Sequence, residues 1–203
     1  MAGRGPIDAL FAPLLPPGVA FAAMAIDGDD PPLFPDEEAA IARVAPRRRR
    51  TFAFGRACAR RALGREVAIA IGQGGAPCWP AGFAGSITHT DDEAAAAVGT
   101  LPAIGIDLES LAHAARTPDL LAMVATERER AHPAALVFSA KESVYKCLYP
   151  TGGRFLEFHD VELAFADGTF TVLRADGYDA RAVRGRFAID DAFVATVAVM
   201  ADR

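Results

Sequence analysis

The sequence has few cysteines, and their spacing fits neither a disulfide framework nor a zinc site. Cys58, Cys78 and Cys147 are odd in number, lie far apart and include no Cys-X-X-Cys pair. This excludes a small disulfide-stapled fold and a cysteine-rich zinc centre as the basis of the structure. The predicted location is therefore a reducing compartment, the cytoplasm.

A long uninterrupted hydrophobic run is also absent. Every stretch of about 18 residues contains charge or proline, although 52% of the 203 residues are hydrophobic. No membrane-spanning helix is predicted. The N-terminal segment, broken by prolines and by Asp8, does not resemble a signal peptide. A chain of this length and composition can bury the core of one large domain or two small lobes.

Positive charge is scarce overall but concentrated in one segment. The net charge of −5 argues against nonspecific nucleic-acid binding by the whole surface. Nine arginines nevertheless lie between Arg43 and Arg65, with Glu66 as the nearby acid, and they predict a local anion site. The run 47–50 leaves a nucleic-acid-binding module as an alternative, although it lacks the expected aromatic platform.

Hydrophobic periodicity and turn residues predict helices followed by strands, twice over. The first half contains a buried strand over 18–26, helices over 35–45 and 46–66, and a hairpin formed by GSITHT and AAAAVGT. The second half contains the strand PAIGIDLE, the helices TPDLLAMVATERERA and PAALVFSAKESVYKCLY, and two hairpins over 158–175 and 184–200. The pattern predicts an α+β fold of two comparable lobes, 1–102 and 103–203.

The strand AIGIDLES ends with two carboxylates, Asp107 and Glu109, spaced two residues apart. On a strand they point to one face, where their repulsion needs a cation or water between them. Mg²⁺ prefers oxygen ligands of this kind and usually keeps waters or substrate phosphates in its shell. The alternative is a strand end that emerges into solvent with two hydrated acids.

The helix that contains FSAKESVYKCLY has a buried stripe and an opposite charged face. The stripe consists of Val137, Ala140, Val144 and Cys147. On the other face, Glu142 and Lys146 are four residues apart, which is typical of an ordinary surface ion pair. The alternative is that Glu142 is a third metal ligand, with Lys141 and Lys146 facing a phosphate or a reacting oxygen.

His89 ends the segment GSITH, beside hydroxyl side chains. A lone histidine more often has a structural or solvated role than a functional one. Near the basic helix, however, its ring could donate a hydrogen bond to a phosphate.

Taken together, four segments resemble the 4′-phosphopantetheinyl transferases of the Sfp/EntD type. They are, in order, RRRRTFAFGRACARRAL, PCWPAGFAGSITHT, GIDLE and FSAKESVYKCLYP, and the resemblance covers about residues 47 to 163. The resemblance implies two similar α+β lobes with pseudo-twofold symmetry in a monomer. It also implies an enzyme that binds coenzyme A and Mg²⁺. Such enzymes transfer the 4′-phosphopantetheine arm to a serine of an apo acyl or peptidyl carrier protein and release adenosine 3′,5′-bisphosphate.

The resemblance also assigns roles to individual residues. Asp107, Glu109 and Glu142 match the metal ligands, and Glu109, Glu142 and Lys146 match the catalytic groups. The implied coenzyme A contacts are Arg49, Arg56, Ser86, Thr88, His89, Lys141 and Lys146, with a one-residue uncertainty at Arg49. Either Glu109 or Glu142 could be the general base.

One departure from the family pattern lies at Gly74, where relatives often carry a lysine. Binding of the coenzyme A nucleotide is therefore expected to depend more on arginine side chains than it does in relatives with the lysine. A coenzyme A- or nucleotide-binding protein that has lost catalysis is the main rival interpretation, and the intact set of acids with Lys146 argues against it.

Overall fold

The computed structural model describes residues 6–117 and 119–200. Two antiparallel sheets are each covered by one long helix. The first part contains α1 (Pro6–Phe11), β1 (Ala20–Ala25), α2 (Pro35–Ala40), α3 (Pro46–Leu63), β2 (Ala84–His89) and β3 (Glu93–Gly99). The second contains β4 (Ile104–Ser110), α4 (Leu111–Ala114), α5 (Leu120–Val124), α6 (Ala134–Gly152), β5 (Val161–Ala166), β6 (Thr169–Ala175), β7 (Val183–Ile189) and β8 (Phe193–Met200). Three parts of the chain lie outside the described residues. They are 1–5, at the start of the first predicted lobe, Pro118, in a predicted helix, and 201–203, at the end of the second predicted lobe.

The first sheet has the strand order β1-β3-β2, and α3 packs across it. Proline suits the first turn of α3, where its missing N–H is not needed, and the helix ends at Gly64, which is left-handed with φ 65°. Phe54, Cys58 and Ala59 are buried against this sheet. The predicted helix and its glycine terminator are therefore confirmed.

The second sheet has the order β4-β8-β7-β6-β5 and is covered by α6. The predicted stripe of Val137, Ala140, Val144 and Cys147 is fully buried. The β5–β6 hairpin turns at Asp167 and Gly168, both with positive φ, as the Ala-Asp-Gly sequence predicted. The hairpin of β7 and β8 is also present.

The two sheets meet along β2 and β4, each of which is an edge strand of its own sheet. Side chains on β2 satisfy backbone groups on β4. The Ser86 hydroxyl accepts a hydrogen bond from the Ile106 N–H at 3.0 Å, and the Thr88 hydroxyl accepts one from the Leu108 N–H at 3.1 Å. Unpaired backbone donors in a buried edge would be costly, so these hydroxyls fix β4 against β2.

The α+β class predicted from the sequence is confirmed, while two details differ. The sheets are unequal, with three and five strands. The helix expected over 117–131 is limited to α5 and a short 3₁₀ turn at Glu127–Glu129, because Ala125 is buried in an extended conformation. Within the described residues, no helix has the length and apolar character needed to cross a membrane.

Candidate active site

A cleft of about 440 Å³ opens between the two sheets, a size suited to a small-molecule ligand. Its walls are formed by α3, the loop before β2, the facing parts of β2 and β4, and α6. Most of the predicted site residues line it: Arg56, Ser86, Thr88, His89, Asp107, Glu109, Glu142 and Lys146. Arg49 and Lys141 do not line it.

Asp107 lies at the centre of the cleft and is 5% exposed. Its Oδ1 accepts hydrogen bonds from the Lys146 ammonium at 2.6 Å and from the Thr88 hydroxyl at 3.1 Å. Its Oδ2 is buried and has no hydrogen-bond partner among the described residues. A solvated strand end is therefore the wrong interpretation of Asp107, and one carboxylate oxygen is left free for a ligand.

Lys146 reaches from α6 to β4 rather than along its own helix. Besides its ion pair with Asp107, its ammonium donates to the Ile106 carbonyl at 3.3 Å. Among the described residues, Asp107 is the one ion-pair partner of Lys146. The interpretation that Glu142 and Lys146 form an ordinary surface ion pair is therefore wrong. The lysine instead joins the two elements that carry the acids.

Glu109 and Glu142 lie in the same cleft with unfavourable surroundings for their charges. Burial, and next the charge of Asp107, raise the pKa of Glu109 to about 7. Burial also raises the pKa of Glu142; Lys146 opposes this shift, and Asp107 adds to it. Raised carboxylate pKa values show that negative charge here is poorly compensated, so a bound cation would be favoured.

These residues could bind a divalent cation only together with further ligands, such as water and substrate phosphates. Among residues 6–117 and 119–200, no three histidine, cysteine, aspartate or glutamate side chains lie close enough to hold a metal by themselves. Mg²⁺ usually takes only one or two carboxylates and completes its shell with water and substrate phosphates. The free Oδ2 of Asp107 and the carboxylates of Glu109 and Glu142 are the cleft oxygens from which such a shell could take its one or two protein ligands.

The basic helix α3 presents only part of its charge to the cleft. Arg48 and Arg56 line it. The other arginines of the helix pair largely with acids of the same chain: Arg47 with Asp91, Arg49 with Glu38, Arg50 with Asp30 and Arg60 with Glu37. The local anion site is therefore much smaller than the run of arginines suggested.

The prediction that Arg49 contacts coenzyme A is not supported by its position. Its guanidinium binds both oxygens of Glu38, at 2.6 and 2.7 Å, outside the cleft. Successive helical residues point about 100° apart, so a one-residue difference decides which arginine faces the ligand. Arg48, one residue before the predicted Arg49, is the arginine that faces the cleft.

His89 holds Arg48 in place. Their side chains meet at 2.8 Å between the histidine Nε2 and the arginine Nη1. Because a guanidinium can only donate, Nε2 must accept. Burial, followed by the charges of Arg48 and Lys146, lowers the pKa of His89 to about 4, so the ring is neutral at pH 7. In this arrangement His89 orients Arg48 and does not itself donate a proton through Nε2.

Arg56 is 5% exposed and held on three sides. Its Nε donates to the Ile69 carbonyl at 2.8 Å, its guanidinium lies 4.2 Å from the centre of the Phe52 ring, and Glu37 is 4.0 Å away. Its terminal nitrogens make no hydrogen bond with the described residues. Burial lowers its pKa to about 10, which still leaves it charged at neutral pH. Arg56 is therefore a preoriented anion binder.

Two buried glutamates support the lobes in the same way. In the first lobe Glu37 accepts from the Phe34 N–H, from the Arg60 guanidinium and from the Ile69 N–H. The Glu37 carboxylate, near the start of the short helix α2, thereby joins the long helix α3 to the chain segment at Ile69.

In the second lobe Glu129 accepts from the Thr126 N–H and the Leu163 N–H and forms an ion pair with Lys141 at 2.7 Å. The Lys141 ammonium also donates to two backbone carbonyls, at 2.7 and 2.8 Å, and the residue is 2% exposed. All its donors are used inside the lobe. The position of Lys141 does not support the prediction that it contacts coenzyme A or a phosphate, because its ion-pair partner Glu129 lies in the core.

The loop before β2 explains the departure at Gly74. This residue is left-handed, with φ 63°, and a Cβ atom on it would lie 2.1 Å from the Tyr149 hydroxyl oxygen. A lysine here would have to displace Tyr149. Tyr149 is a cleft residue that was not predicted from the sequence, although it lies three residues after Lys146 and seven after Glu142, on the same face of α6.

Comparisons with known proteins agree with this geometry. Residues 36–99 match the model of the 4′-phosphopantetheinyl transferase N-terminal domain, and residues 103–198 match the 4′-phosphopantetheinyl transferase superfamily.

Three curated relatives carry the same name. The chain is 35% identical to 4′-phosphopantetheinyl transferase Svp of Streptomyces mobaraensis, over 95% of this chain and 89% of that protein. It is 39% identical to Npt of Nocardia iowensis over 75% of each, and 32% identical to PptT of Mycobacterium tuberculosis over 96% and 99%. These matches do not address the Sfp/EntD subdivision, which stays a prediction. The chain belongs to the 4′-phosphopantetheinyl transferase superfamily, whose members transfer the phosphopantetheine group of coenzyme A to carrier proteins.

Proposed function

We propose that the cleft between the sheets is where this transferase binds coenzyme A and modifies the carrier serine, with Mg²⁺ as cofactor. One observation carries the proposal: Asp107 has a free buried oxygen beside Lys146, in a cleft that also contains Glu109 and Glu142. The diphosphate of coenzyme A carries negatively charged oxygens. Lys146 would bind these oxygens directly, and the acids would bind them through a shared cation.

The reaction needs positioning and charge neutralisation more than covalent help from the protein. The carrier serine oxygen forms a bond to the phosphorus that bears the pantetheine arm, and the bond from that phosphorus to the bridging oxygen breaks. Adenosine 3′,5′-bisphosphate leaves with that oxygen. Lys146, fixed by Asp107 and the Ile106 carbonyl, is placed to stabilise the charge that develops on the leaving group.

The serine proton must pass to a base in the cleft. Glu109 and Glu142 are the candidates, because both carboxylates line the cleft. Asp107, Glu109 and Glu142 would hold the cation, directly or through water, together with diphosphate oxygens whose charge the bound cation would neutralise. Both glutamates thus keep two roles, as ligand and as base.

Arg48 and Arg56 form the phosphate-binding wall opposite the acids. We assign Arg56 to the adenosine 3′-phosphate because its terminal nitrogens are free and preoriented. We assign Arg48, with His89 behind it, to the diphosphate side. Ser86 and Thr88 also line the cleft, and their hydroxyls secure the strand that carries Asp107.

The broader assignments are part of the same proposal. The substrates are coenzyme A and apo acyl or peptidyl carrier proteins, and the enzyme is a cytoplasmic monomer that does not bind nucleic acid. Its lobes span 1–102 and 103–203, with the cleft between them. Corresponding contacts of two buried glutamates support the similarity of the lobes. Glu37 and Glu129 each link a short helix, a long helix and a later chain segment.

Intact mass spectrometry tests the proposed function. The protein is incubated with coenzyme A, MgCl₂ and a panel of apo carrier domains, and each carrier should gain the mass of one phosphopantetheine. Chelation of the metal should stop the gain, and a carrier with its serine replaced by alanine should show none. Binding of coenzyme A without modification of any carrier would instead identify a protein that has lost catalysis.

Arg56 offers a direct test of how the nucleotide is bound. Arg56→Ala should weaken coenzyme A binding far more than binding of dephospho-coenzyme A, because only the former has the 3′-phosphate. A charge-assisted contact of this type contributes about 1.5–3 kcal/mol. Calorimetry with both ligands measures the difference. Arg61→Ala, an exposed arginine on the same helix, is the control. Equal losses for both ligands would remove Arg56 from the role.

A further inference from the structure

The tyrosine at position 149 lies across the cleft from the glycine loop. Tyr149 is on α6, in the second lobe, and its hydroxyl occupies the space above Gly74, in the first. A Cβ at Gly74 would be 2.1 Å from the hydroxyl oxygen and 2.4 Å from the ring carbon that bears it. Glycine at this position is therefore what allows Tyr149 to reach the opposite wall.

The Tyr149 hydroxyl has no hydrogen-bond partner within residues 6–117 and 119–200, although the residue is 8% exposed. Tyr178, outside the cleft, shows the usual arrangement: its hydroxyl donates to the Arg154 carbonyl at 2.9 Å and accepts from the Arg154 N–H at 3.0 Å. The Tyr149 oxygen is not among the buried unpartnered side-chain oxygens of the described residues, which are those of Asp107 and Thr126, so it is accessible from the cleft that Tyr149 lines. An accessible hydroxyl without a protein partner is available to a ligand.

The position of Tyr149 on α6 indicates which part of a ligand it meets. It lies three residues after Lys146, about 4.5 Å further along the helix axis. A part of the ligand that adjoins a diphosphate bound at Lys146 is therefore within reach of Tyr149, which lines the same cleft.

The facing loop belongs to the nucleotide side of the cleft. The loop closes on itself through the bond from the Gly72 N–H to the Ala76 carbonyl, at 2.7 Å, and from the Cys78 N–H to the Ala70 carbonyl, at 2.9 Å. It is fastened to α3 at Ile69, whose carbonyl accepts from Arg56. The wall opposite Tyr149 is thus continuous with the proposed 3′-phosphate binder.

We infer that the Tyr149 hydroxyl donates a hydrogen bond to the nucleotide end of coenzyme A, and that Gly74 is required to let it do so. The inference rests on the proposed function of the cleft. It adds a substrate-contacting residue on the second lobe, so that the nucleotide is held from both sides. Phenol is a good donor to phosphate and ribose oxygens.

Removing the hydroxyl alone tests the inference. Tyr149→Phe should bind coenzyme A and adenosine 3′,5′-bisphosphate more weakly by the same factor, roughly 10- to 100-fold if the acceptor is charged. Its melting temperature should not fall, since the hydroxyl has no hydrogen-bond partner among the described residues. Both ligands are measured by calorimetry in the presence of MgCl₂. Tyr178→Phe, which loses a bonded hydroxyl outside the cleft, is the matched control and should bind both ligands normally.

The outcomes separate the alternatives. Unchanged affinity for both ligands would overturn the inference. Weakened binding of coenzyme A alone would also overturn it, because the hydroxyl would then contact the pantetheine arm. If the unaltered protein bound neither ligand, the proposed function itself would fail, a result independent of position 149.

A second variant tests the role of Gly74. Gly74→Ala should displace Tyr149 and weaken binding of adenosine 3′,5′-bisphosphate in the otherwise unaltered protein. The same substitution should weaken binding less when Tyr149 is already phenylalanine, because the ring is still displaced by the contact at 2.4 Å but no hydroxyl contact is left to lose. Additive losses in this double-mutant cycle would show that the two residues act independently and would contradict the inference.

Discussion

Substitution of any one of the three cleft acids is expected to abolish carrier modification. Asp107→Asn, Glu109→Gln and Glu142→Gln each remove a charged oxygen ligand while keeping the side-chain shape. The loss should be roughly a thousand-fold or more in turnover, since in the proposed site the metal and the diphosphate both depend on these oxygens. Intact mass of the carrier over time provides the measurement. Near-normal turnover in two of the three variants would show that the metal assignment is wrong.

The three variants should differ in stability, which separates a site effect from a folding effect. The folded-state pKa of Glu109 is raised to about 7 from an ordinary value of 4.5. Its folded form therefore binds protons more tightly than the unfolded chain does, and stability decreases as pH rises through that range. Glu109→Gln should remove this decrease. With the metal chelated at pH 8, the variant should be no less stable than the unaltered protein in urea unfolding.

Asp107→Asn should behave differently because Asp107 is already paired. It loses the ion pair with Lys146 and weakens the bond to Thr88, so a moderate loss of stability is expected. A circular dichroism spectrum like that of the unaltered protein would show that the fold persists. Inactivity in all three variants, with stability lost only in Asp107→Asn, is the pattern that the cleft geometry predicts.

The sequence predicted the elements better than the contacts of individual cations. Helices α3 and α6 have strong periodicity and glycine terminators, and the hairpins have recognisable turns, so local signals were sufficient. The acids Asp107 and Glu109 share a strand face and could be placed from the alternation of strand residues alone.

The direction of a charged side chain was less predictable. Lys141 and Lys146 are five residues apart in one motif, but one is drawn into the core by Glu129 and the other reaches Asp107. Glu129 and Glu38 carry no sequence signal that identifies them as partners, because the pairing depends on how distant segments pack. Arg48 and Arg49 could not be distinguished for the same reason.

Gly105→Ala is expected to destabilise the protein severely. A Cβ on Gly105, in β4, would lie 1.9 Å from the Ser143 carbonyl oxygen and 2.6 Å from the Cys147 nitrogen, both backbone atoms of α6. No side-chain rotation can relieve such contacts, so the strand and the helix must separate. The cost is expected to be about 3 kcal/mol or more, a large part of the 5–15 kcal/mol that typically stabilises a domain.

The same substitution should disable the site, because these two elements carry its parts. Asp107 follows Gly105 by two residues, and Lys146 lies between the contact points on α6, so a shift of β4 would open the 2.6 Å ion pair between them. Gly99→Ala is the matched control on β3. The Cβ there would meet mainly the tips of Leu101 and Val19, which can move. Urea unfolding of both variants measures the difference, and a Gly105→Ala protein as stable as Gly99→Ala would contradict the prediction. The glycine of the GIDLE segment thus has a physical role of its own: it brings β4 close enough to α6 for Lys146 to reach Asp107.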